Sequence, residues 1–248
     1  MPPVTLRMRP LRFDAGRAHA SAIMESASAL QVAQPPRSAY AKWGKRLLDV
    51  VAASLGLLVL SPLFVILCCV IKVTSRGGPF YRQARIGKDG RRFLIVKFRS
   101  MIVGHVNGLE ITVSGDRRVT SVGRILRRYK LDELPQLWNV LRGDMSLVGP
   151  RPELPVYVAA YTEQQRQVLA VRPGVTDPAS LAYRHEEAIL AEHKDPEQFY
   201  RTQVLPDKLA RNLAYVQAIS LKNDLHVIFE TVVSSFLASQ KAHVHRDV

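Results

Sequence analysis

Two adjacent carboxylates, Asp132 and Glu133, stand in the run LDELPQLWNVLRGDMSLVGPRPE over residues 131–153. Around them Leu131, Leu134, Leu137, Trp138 and Leu141 recur at helical spacing. Pro135 is tolerated only in a first helical turn, where its missing N–H costs nothing. That placement puts Asp132 near an N-cap and Glu133 in the first turn. Capping and the helix dipole alone would account for both acids. A helix start among arginines is also a place where phosphate binds. Adjacent carboxylates there suit a hard cation such as Mg²⁺, which takes oxygen ligands and bridges phosphates. One of them could instead act as a nucleophile on phosphorus. Further on, Gly149-Pro150-Arg151-Pro152-Glu153 reads as a rigid loop presenting one arginine, whose planar fork suits a phosphate bidentately.

The elements that must position these groups are partly legible. Residues 72–101 hold nine basic side chains against one acid, Asp89. Pro79 to Ile86, a turn at Gly87 to Gly90 and a strand over Arg91 to Met101 read as a β-hairpin. Residues 116–130 add six basic residues against Asp116. From Pro155 onward the pattern is helical. One helix is expected from Val156 to Val171, ended by Arg172-Pro173-Gly174, and another from Pro206 to Ile219. A last helix, capped by Asn223 or Asp224, is expected to run to about Ser239, with an amphipathic stretch from Leu225 to Leu237. His185 has no second histidine at ligand spacing, so it is assigned no metal. His243 and His245 belong to a solvated basic tail.

From Val50 to Ile71 the chain reads VVAASLGLLVLSPLFVILCCVI, uncharged throughout. As one helix it would span roughly 33 Å, enough to cross a hydrocarbon core. Ser61-Pro62 interrupts it, and proline breaks or kinks a helical ladder. Lys42, Lys45 and Arg46 precede it, and Lys72 and Arg76 follow. Basic flanks favour the cytoplasmic side, and both can lie there only if the segment enters and turns back. The serine hydroxyl could satisfy a carbonyl freed at such a bend. An ordinary kinked span is the alternative.

Lysine and arginine total 35 against 21 acids, a formal charge of +14 in 248 residues, which implies a polyanionic partner: nucleic acid, anionic lipid or a phosphorylated substrate. An apolar share of 47% excludes a disordered chain. The only cysteines, Cys68 and Cys69, are adjacent, which excludes a disulfide framework. Residues 1–41 hold five prolines and no clean periodicity and read as a solvated tail, although their arginines also mimic a transit peptide.

Three stretches in order carry a resemblance: KRLLDVVAASLGLLVLSPLF, PFYRQARIGKDGRRFLIVKFRSM and GDRRVTSVGRILRRYKLDELPQLWNVLRGDMSLVGPRPE. Together they resemble the bacterial sugar transferases, the monotopic polyprenyl-phosphate phosphoglycosyl transferases, over about residues 42–239. The resemblance implies an α/β, mostly helical fold: a membrane-embedded re-entrant helix hairpin over 46–74, bent at Ser61-Pro62, and a cytoplasmic catalytic domain with a short β-hairpin. A disordered tail over 1–41 and a basic tail over 240–248 would flank it. It implies transfer of a sugar 1-phosphate from a UDP-sugar to polyprenyl (undecaprenyl) phosphate at the bacterial inner membrane. The products would be a polyprenyl-diphosphate sugar and UMP, initiating exopolysaccharide, capsule or other glycoconjugate synthesis. The family's catalytic dyad falls on Asp132 and Glu133, with Mg²⁺ as the metal they would hold. Its substrate-binding basic residues match Arg82, Lys97, Arg99 and Arg151.

The chain departs from many members after its Pro-Gly turn, where Pro173-Gly174-Val175-Thr176-Asp177-Pro178-Ala179-Ser180 replaces a Gly-Trp-Ala-Gln-like segment. That leaves the sugar open. It also lacks the additional N-terminal membrane helices of the larger members and is expected to be a minimal catalytic unit. A non-catalytic basic module, tethering to membrane or binding nucleic acid, would use the +14 charge equally. It leaves Asp132-Glu133 and the broken apolar segment unexplained and lacks a nucleic-acid fold signature, so nucleic acid is not expected as a partner.

Overall fold

The computed structural model describes residues 38–103 and 111–241. Almost all of the tail expected over 1–41 lies outside the described residues, as do His243 and His245. The described chain is mostly helical. A π-helical turn, Tyr40–Gly44, leads into α1, Lys45–Val59, and then α2, Ser61–Thr74. The hairpin follows as β1, Phe80–Ile86, and β2, Arg92–Phe98, paired antiparallel with Arg82 opposite Val96 and Tyr81 opposite Lys97. Next come α3, Ser121–Arg128; a 3₁₀ turn, Leu131–Glu133; α4, Gln136–Arg142; and β3, Ser146–Val148. The remainder comprises α5, Pro155–Ala159; α6, Glu163–Arg166; β4, Gly174–Thr176; α7, Pro178–Ala182; α8, Glu186–Ala191; α9, Pro196–Phe199; α10, Leu205–Gln217; and α11, Leu221–Lys241. The strands β3 and β4 pair in parallel as a second, two-stranded sheet that the sequence pattern did not announce.

The apolar segment is not one helix. The axes of Tyr40–Val59 and Ser61–Thr74 differ by 61°. The reason is local. Pro62 has no N–H to give to the carbonyl four residues back, that of Leu58. The Ser61 hydroxyl donates to that same Leu58 carbonyl at 2.8 Å. The expected hydroxyl compensation is therefore present, and the freed Leu58 carbonyl has its partner within the chain. No single helix among the described residues is long and apolar enough to cross a membrane. One outer face of the pair is apolar and uncovered, from Trp43, Leu47, Val51 and Leu55 to Val65, Ile66 and Val73.

The other face is pinned down. Asp49 is buried and accepts from the Ser146 hydroxyl and the Leu147 amide. Arg46 donates to the Val140 and Leu141 carbonyls at the end of α4, where a helix leaves its last carbonyls unpaired. Lys45 reaches Asp224 on α11, and Tyr40 and Tyr215 donate to the same carboxylate. Asp224 is thus a buried acceptor and not the expected cap of the last helix.

Two apolar clusters connect this frame to the acids. Ala53, Ile95, Val140 and Met145 join α1, β2 and α4. Ile71, Phe98 and Leu126, with Leu131 and Leu134 against them, join α2, β2, α3 and the turn that carries the acids. The largest cluster lies apart, among α5, α8 and α10, and includes Tyr157, Leu190 and Leu209. The single helix expected over Val156 to Val171 is broken. Thr162 and Gln165 form a capping box that restarts the chain as α6.

Asn139 holds the free edge of the hairpin. Its side-chain Oδ1 accepts from the Val96 amide at 2.9 Å and its Nδ2 donates to the Leu94 carbonyl at 2.8 Å. One buried amide thereby does for β2 what a third strand would do, and locks α4 to the sheet. Asn139→Leu keeps the volume but strips both backbone groups of their partner. It should destabilise the protein by about 2–4 kcal/mol, since each buried unsatisfied group costs roughly 1–3 kcal/mol. Asn139→Asp, which keeps the acceptor but sets a buried carboxylate against the Leu94 carbonyl and the Asp144 carboxylate, should cost at least as much. Urea midpoints of the three proteins check the order.

Candidate active site

The 3₁₀ turn Leu131–Glu133 presents the two acids. Its alternation is forced by packing: Leu131 and Leu134 face the cluster of Ile71, Phe98 and Leu126, which leaves Asp132 and Glu133 on the other side. The turn is launched by Lys130, whose φ of 58° is left-handed, the conformation that ends a helix and that glycine usually adopts. The expectation of a helix N-cap at Asp132 is corrected here. Helix α4 begins at Gln136, after Pro135, and no side chain caps it. Asp132 is therefore not held by capping.

The two carboxylates have opposite surroundings. Glu133 accepts from Lys97 Nζ at 2.8 Å and from Arg151 Nη2 at 2.5 Å, both on Oε1. Asp132 is buried to the same degree but has no hydrogen bond or ion pair among the described residues. Their ionisation diverges accordingly. Burial would raise Glu133, but Arg151 and then Lys97 outweigh it and hold its carboxyl well below the usual glutamate range. Burial pushes Asp132 up, and the neighbouring Glu133 adds to this. Lys97, Arg127 and Lys130 pull the other way without reversing it.

Three sequence elements converge to make this arrangement. Lys97 comes from β2, Glu133 from the turn and Arg151 from the loop after β3. That loop is fixed by a close backbone approach: Gly174 N donates to Pro150 O at 2.9 Å, and Gly149 N to Thr176 O at 3.0 Å. A Cβ on Gly174 would lie 2.1 Å from Gly149 N, so only glycine fits. Behind the loop, Arg85 donates to Pro152 O and faces Glu153, which accepts from Tyr200 at 2.8 Å.

Of the basic residues expected to bind substrate, Lys97 and Arg151 meet at Glu133. Arg99 goes elsewhere. Its guanidinium is buried and donates to the carbonyls of Ser75 and Arg76 and to the Ser75 hydroxyl, closing the C-terminal end of α2. Arg82 is exposed and opposite Val96, which puts it on the other sheet face from Lys97. Three residues were missed. Arg127 at the end of α3 donates through Nε to Ser100 Oγ and through Nη1 to Glu187 Oε1. Both it and Lys130 act electrostatically on Asp132. The i, i+3 spacing of Arg127 and Lys130, just before the acids, was the available signal. Glu187, 60 residues away in sequence, had none.

A hard cation finds a partial site here. Among the described residues no group of three or more His, Cys, Asp or Glu side chains could enclose a metal. Glu133 is committed to two cations, whereas the Asp132 carboxylate is open. One open carboxylate beside a second fits an ion such as Mg²⁺ that completes its shell with phosphate oxygens and water.

Residues 40–238 match the family model described as bacterial sugar transferase. The chain belongs to that family. Its similarity to individual members is spread over most of its length. It is 36% identical over 202 residues to a UDP-glucose:undecaprenyl-phosphate glucose-1-phosphate transferase of Klebsiella pneumoniae, covering 78% of this chain and 40% of that protein. It is 36% identical over 204 residues to the exopolysaccharide production protein ExoY of Rhizobium meliloti, covering 76% and 83%. A UDP-glucose:undecaprenyl-phosphate glucose-1-phosphate transferase of Caulobacter vibrioides is 38% identical over 195 residues, covering 77% and 68%. The chain thus spans about two fifths of the Klebsiella relative and most of the other two.

The electrostatics of this bacterial sugar transferase site can be tested directly. Asp132 should titrate above the ordinary aspartate value of about 3.9. Lys97 pulls it down most, so Lys97→Met should move it higher still, while Lys130→Met moves it less. Carboxyl ¹³C chemical shifts followed through a pH titration give the three values.

Proposed function

We propose that the chain transfers a sugar 1-phosphate from a UDP-sugar to polyprenyl phosphate, with Asp132 as the covalent nucleophile. The observation that carries this reading is the contrast between the two acids. A carboxylate that attacks phosphorus must be ionised, unpaired and directed into a cationic field. Asp132 is unpaired, Lys97, Arg127 and Lys130 favour its ionised form against the effect of burial, and Glu133 satisfies the nearest cations in its place. The relatives' names supply the substrate class: a UDP-glucose donor and an undecaprenyl-phosphate acceptor.

In the first step an Asp132 oxygen attacks the phosphorus that bears the sugar. The new O–P bond forms as the bond from that phosphorus to the bridging oxygen breaks, and UMP leaves with the electron pair. In the second step an oxygen of polyprenyl phosphate attacks the same phosphorus and the Asp132 carboxylate departs. Splitting the transfer lets two bulky anions use one small site in turn. Repulsion between carboxylate and diphosphate is the main obstacle, and fixed cations offset it. Lys97 has three N–H donors and Arg151 five, so both keep donors for phosphate after serving Glu133. Glu133 orients the two cations and is the positioning half of the dyad. Mg²⁺, when bound with the substrate, would be held by the Asp132–Glu133 pair and would neutralise phosphate charge. The non-catalytic reading gains nothing from this geometry, because Lys97, Arg151 and Arg127 are turned inward onto carboxylates and not out toward a flat polyanion.

The bent pair α1–α2 is proposed to embed in the bacterial inner membrane with both ends on the cytoplasmic face. Arms of 15 and 14 residues are each about 21–22 Å long. Opened by a 61° bend, such a V reaches about 11 Å deep, well short of a hydrocarbon core of about 30 Å. The apolar outer face of the V and the internal satisfaction of the Leu58 carbonyl suit that depth.

Two measurements test these readings. Intact-protein mass after incubation with UDP-sugar and Mg²⁺, without acceptor, should show one sugar phosphate added to the native chain and none to Asp132→Asn. That variant should fold at least as stably, because burial already favours the uncharged form of Asp132. An adduct on Asp132→Asn would place the nucleophile elsewhere. For topology, Ser38→Cys and Arg76→Cys, each in a Cys68→Ser, Cys69→Ser background, should both resist an impermeant thiol reagent in spheroplasts and both react after lysis. Labelling of one alone in spheroplasts rules out the re-entrant arrangement.

A further inference from the structure

The short helix α8 carries two consecutive glutamates that point to opposite tasks. Glu186 is anchored inward. It accepts from the buried Lys208 at 2.8 Å, and Lys208 lies 4.0 Å from Glu153, the residue two places beyond Arg151. Glu187 is delivered outward to Arg127 at 2.9 Å, and its own backbone carbonyl accepts from the Ser114 amide at 3.0 Å. Arg127 is itself fixed from behind. Its Nε donates to Ser100 Oγ, and α3 lies so close to that segment that a Cβ on Gly123 would sit 2.0 Å from Ser100 O.

The consequence is two groups of cations around the acid turn, each with its own counter-ion. Lys97 and Arg151 share Glu133 as their counter-ion. Arg127 is paired with Glu187, and Arg127 and Lys130 both act electrostatically on Asp132 and on Glu187. The two counter-ions differ in permanence. Glu133 is enclosed, with 11% of its side chain exposed, and is shared by two cations. Glu187 is 50% exposed and makes one contact. Ion pairs of the second kind are weak, and a phosphate with several oxygens binds a guanidinium fork more strongly than one carboxylate oxygen does. Glu187 is also within electrostatic range of Asp132, which, after burial, makes Glu187 harder to ionise.

We propose that Glu187 is a displaceable guard on Arg127: it occupies the guanidinium in the empty enzyme and is displaced by a phosphate of the incoming nucleotide diphosphate sugar. This deepens the proposed function and rests on its nucleotide-sugar reading. The guard keeps Arg127 from folding onto Asp132, which would quench the nucleophile. It also sets a threshold against single weak anions. Because the Glu186–Lys208–Glu153 contacts hold α8 to the Arg151 loop, the displaced carboxylate stays near the site and returns when the phosphate leaves.

The test is calorimetric titration of the full-length chain, in detergent with Mg²⁺, using UDP and inorganic pyrophosphate as separate probes. Glu187→Gln should bind both about two- to fivefold more tightly, the range expected for a partly exposed ion pair, and the KM for UDP-sugar should fall by the same factor. Arg127→Gln should bind both more weakly. Adding Glu187→Gln to Arg127→Gln should change nothing further. Tightening that persists without Arg127 would reflect the general field of the carboxylate and overturns the guard, as does unchanged or weaker binding by Glu187→Gln alone. If UDP binds the native protein and Glu187→Gln equally, the guard fails and the nucleotide reading stands. If pyrophosphate tightens but neither protein binds UDP, the guard stands and the nucleotide reading fails.

Discussion

The ion pairs that Glu133 makes with Lys97 and Arg151 hold the catalytic half of this molecule together. One buried carboxylate draws in a strand, a turn and a loop that are otherwise joined by few backbone bonds. Burying it alone would be costly; two cations at hydrogen-bond distance make its charged form the favoured one. Its depressed ionisation means that this contribution is complete above the ordinary glutamate range and is lost only as the pH falls through the lowered folded value. The same arrangement leaves Asp132 without a partner. Satisfying one acid of the turn leaves the other unpaired, and the unpaired one is the residue proposed as nucleophile.

The sequence showed the parts that depend on near neighbours. Asp132-Glu133, the Pro-Arg-Pro loop and the Ser61-Pro62 break are contiguous signals whose physical meaning needs no partner. The hairpin from Phe80 to Phe98 was equally plain, because alternation and the Gly87–Gly90 turn are local. What stayed hidden depended on register or on distance along the chain. Arg82 and Lys97 look equivalent in a basic run, and only the pairing of Tyr81 with Lys97 reveals that they point to opposite faces. Arg99 reads as a substrate ligand until the end of α2 is placed beside it. The three-residue strands β3 and β4 are too short for any periodicity. The break in the helix after Ala159 was visible in principle, as Thr162 and Gln165 at capping-box spacing, and apolar periodicity masked it.

The bent apolar pair and the acids belong to one mechanical unit. Lys45, Arg46 and Asp49 fasten the start of α1 to α11, α4 and β3. Ala53 and Ile71 then carry apolar contact along both arms to the sheet and to the turn. The polar pins lie on one face of α1 and the uncovered apolar stripe, from Trp43 and Leu47 onward, on another. This division lets one segment be both a packed core element and an apolar exterior.

Arg99 has a consequence of its own. It closes the end of α2 and lies two residues from Lys97, a separation of at most about 7 Å along the chain. The strand is thus a short ruler with the apolar helix at one mark and the Glu133 pair at the other. If the pair embeds as proposed, anything that tilts the helix would move the ruler, and with it the lysine that most favours the ionised form of Asp132 against burial. On the proposed membrane reading, the medium that holds the apolar arm would then be a variable of the chemistry, acting on the ionisation of Asp132 from a distance.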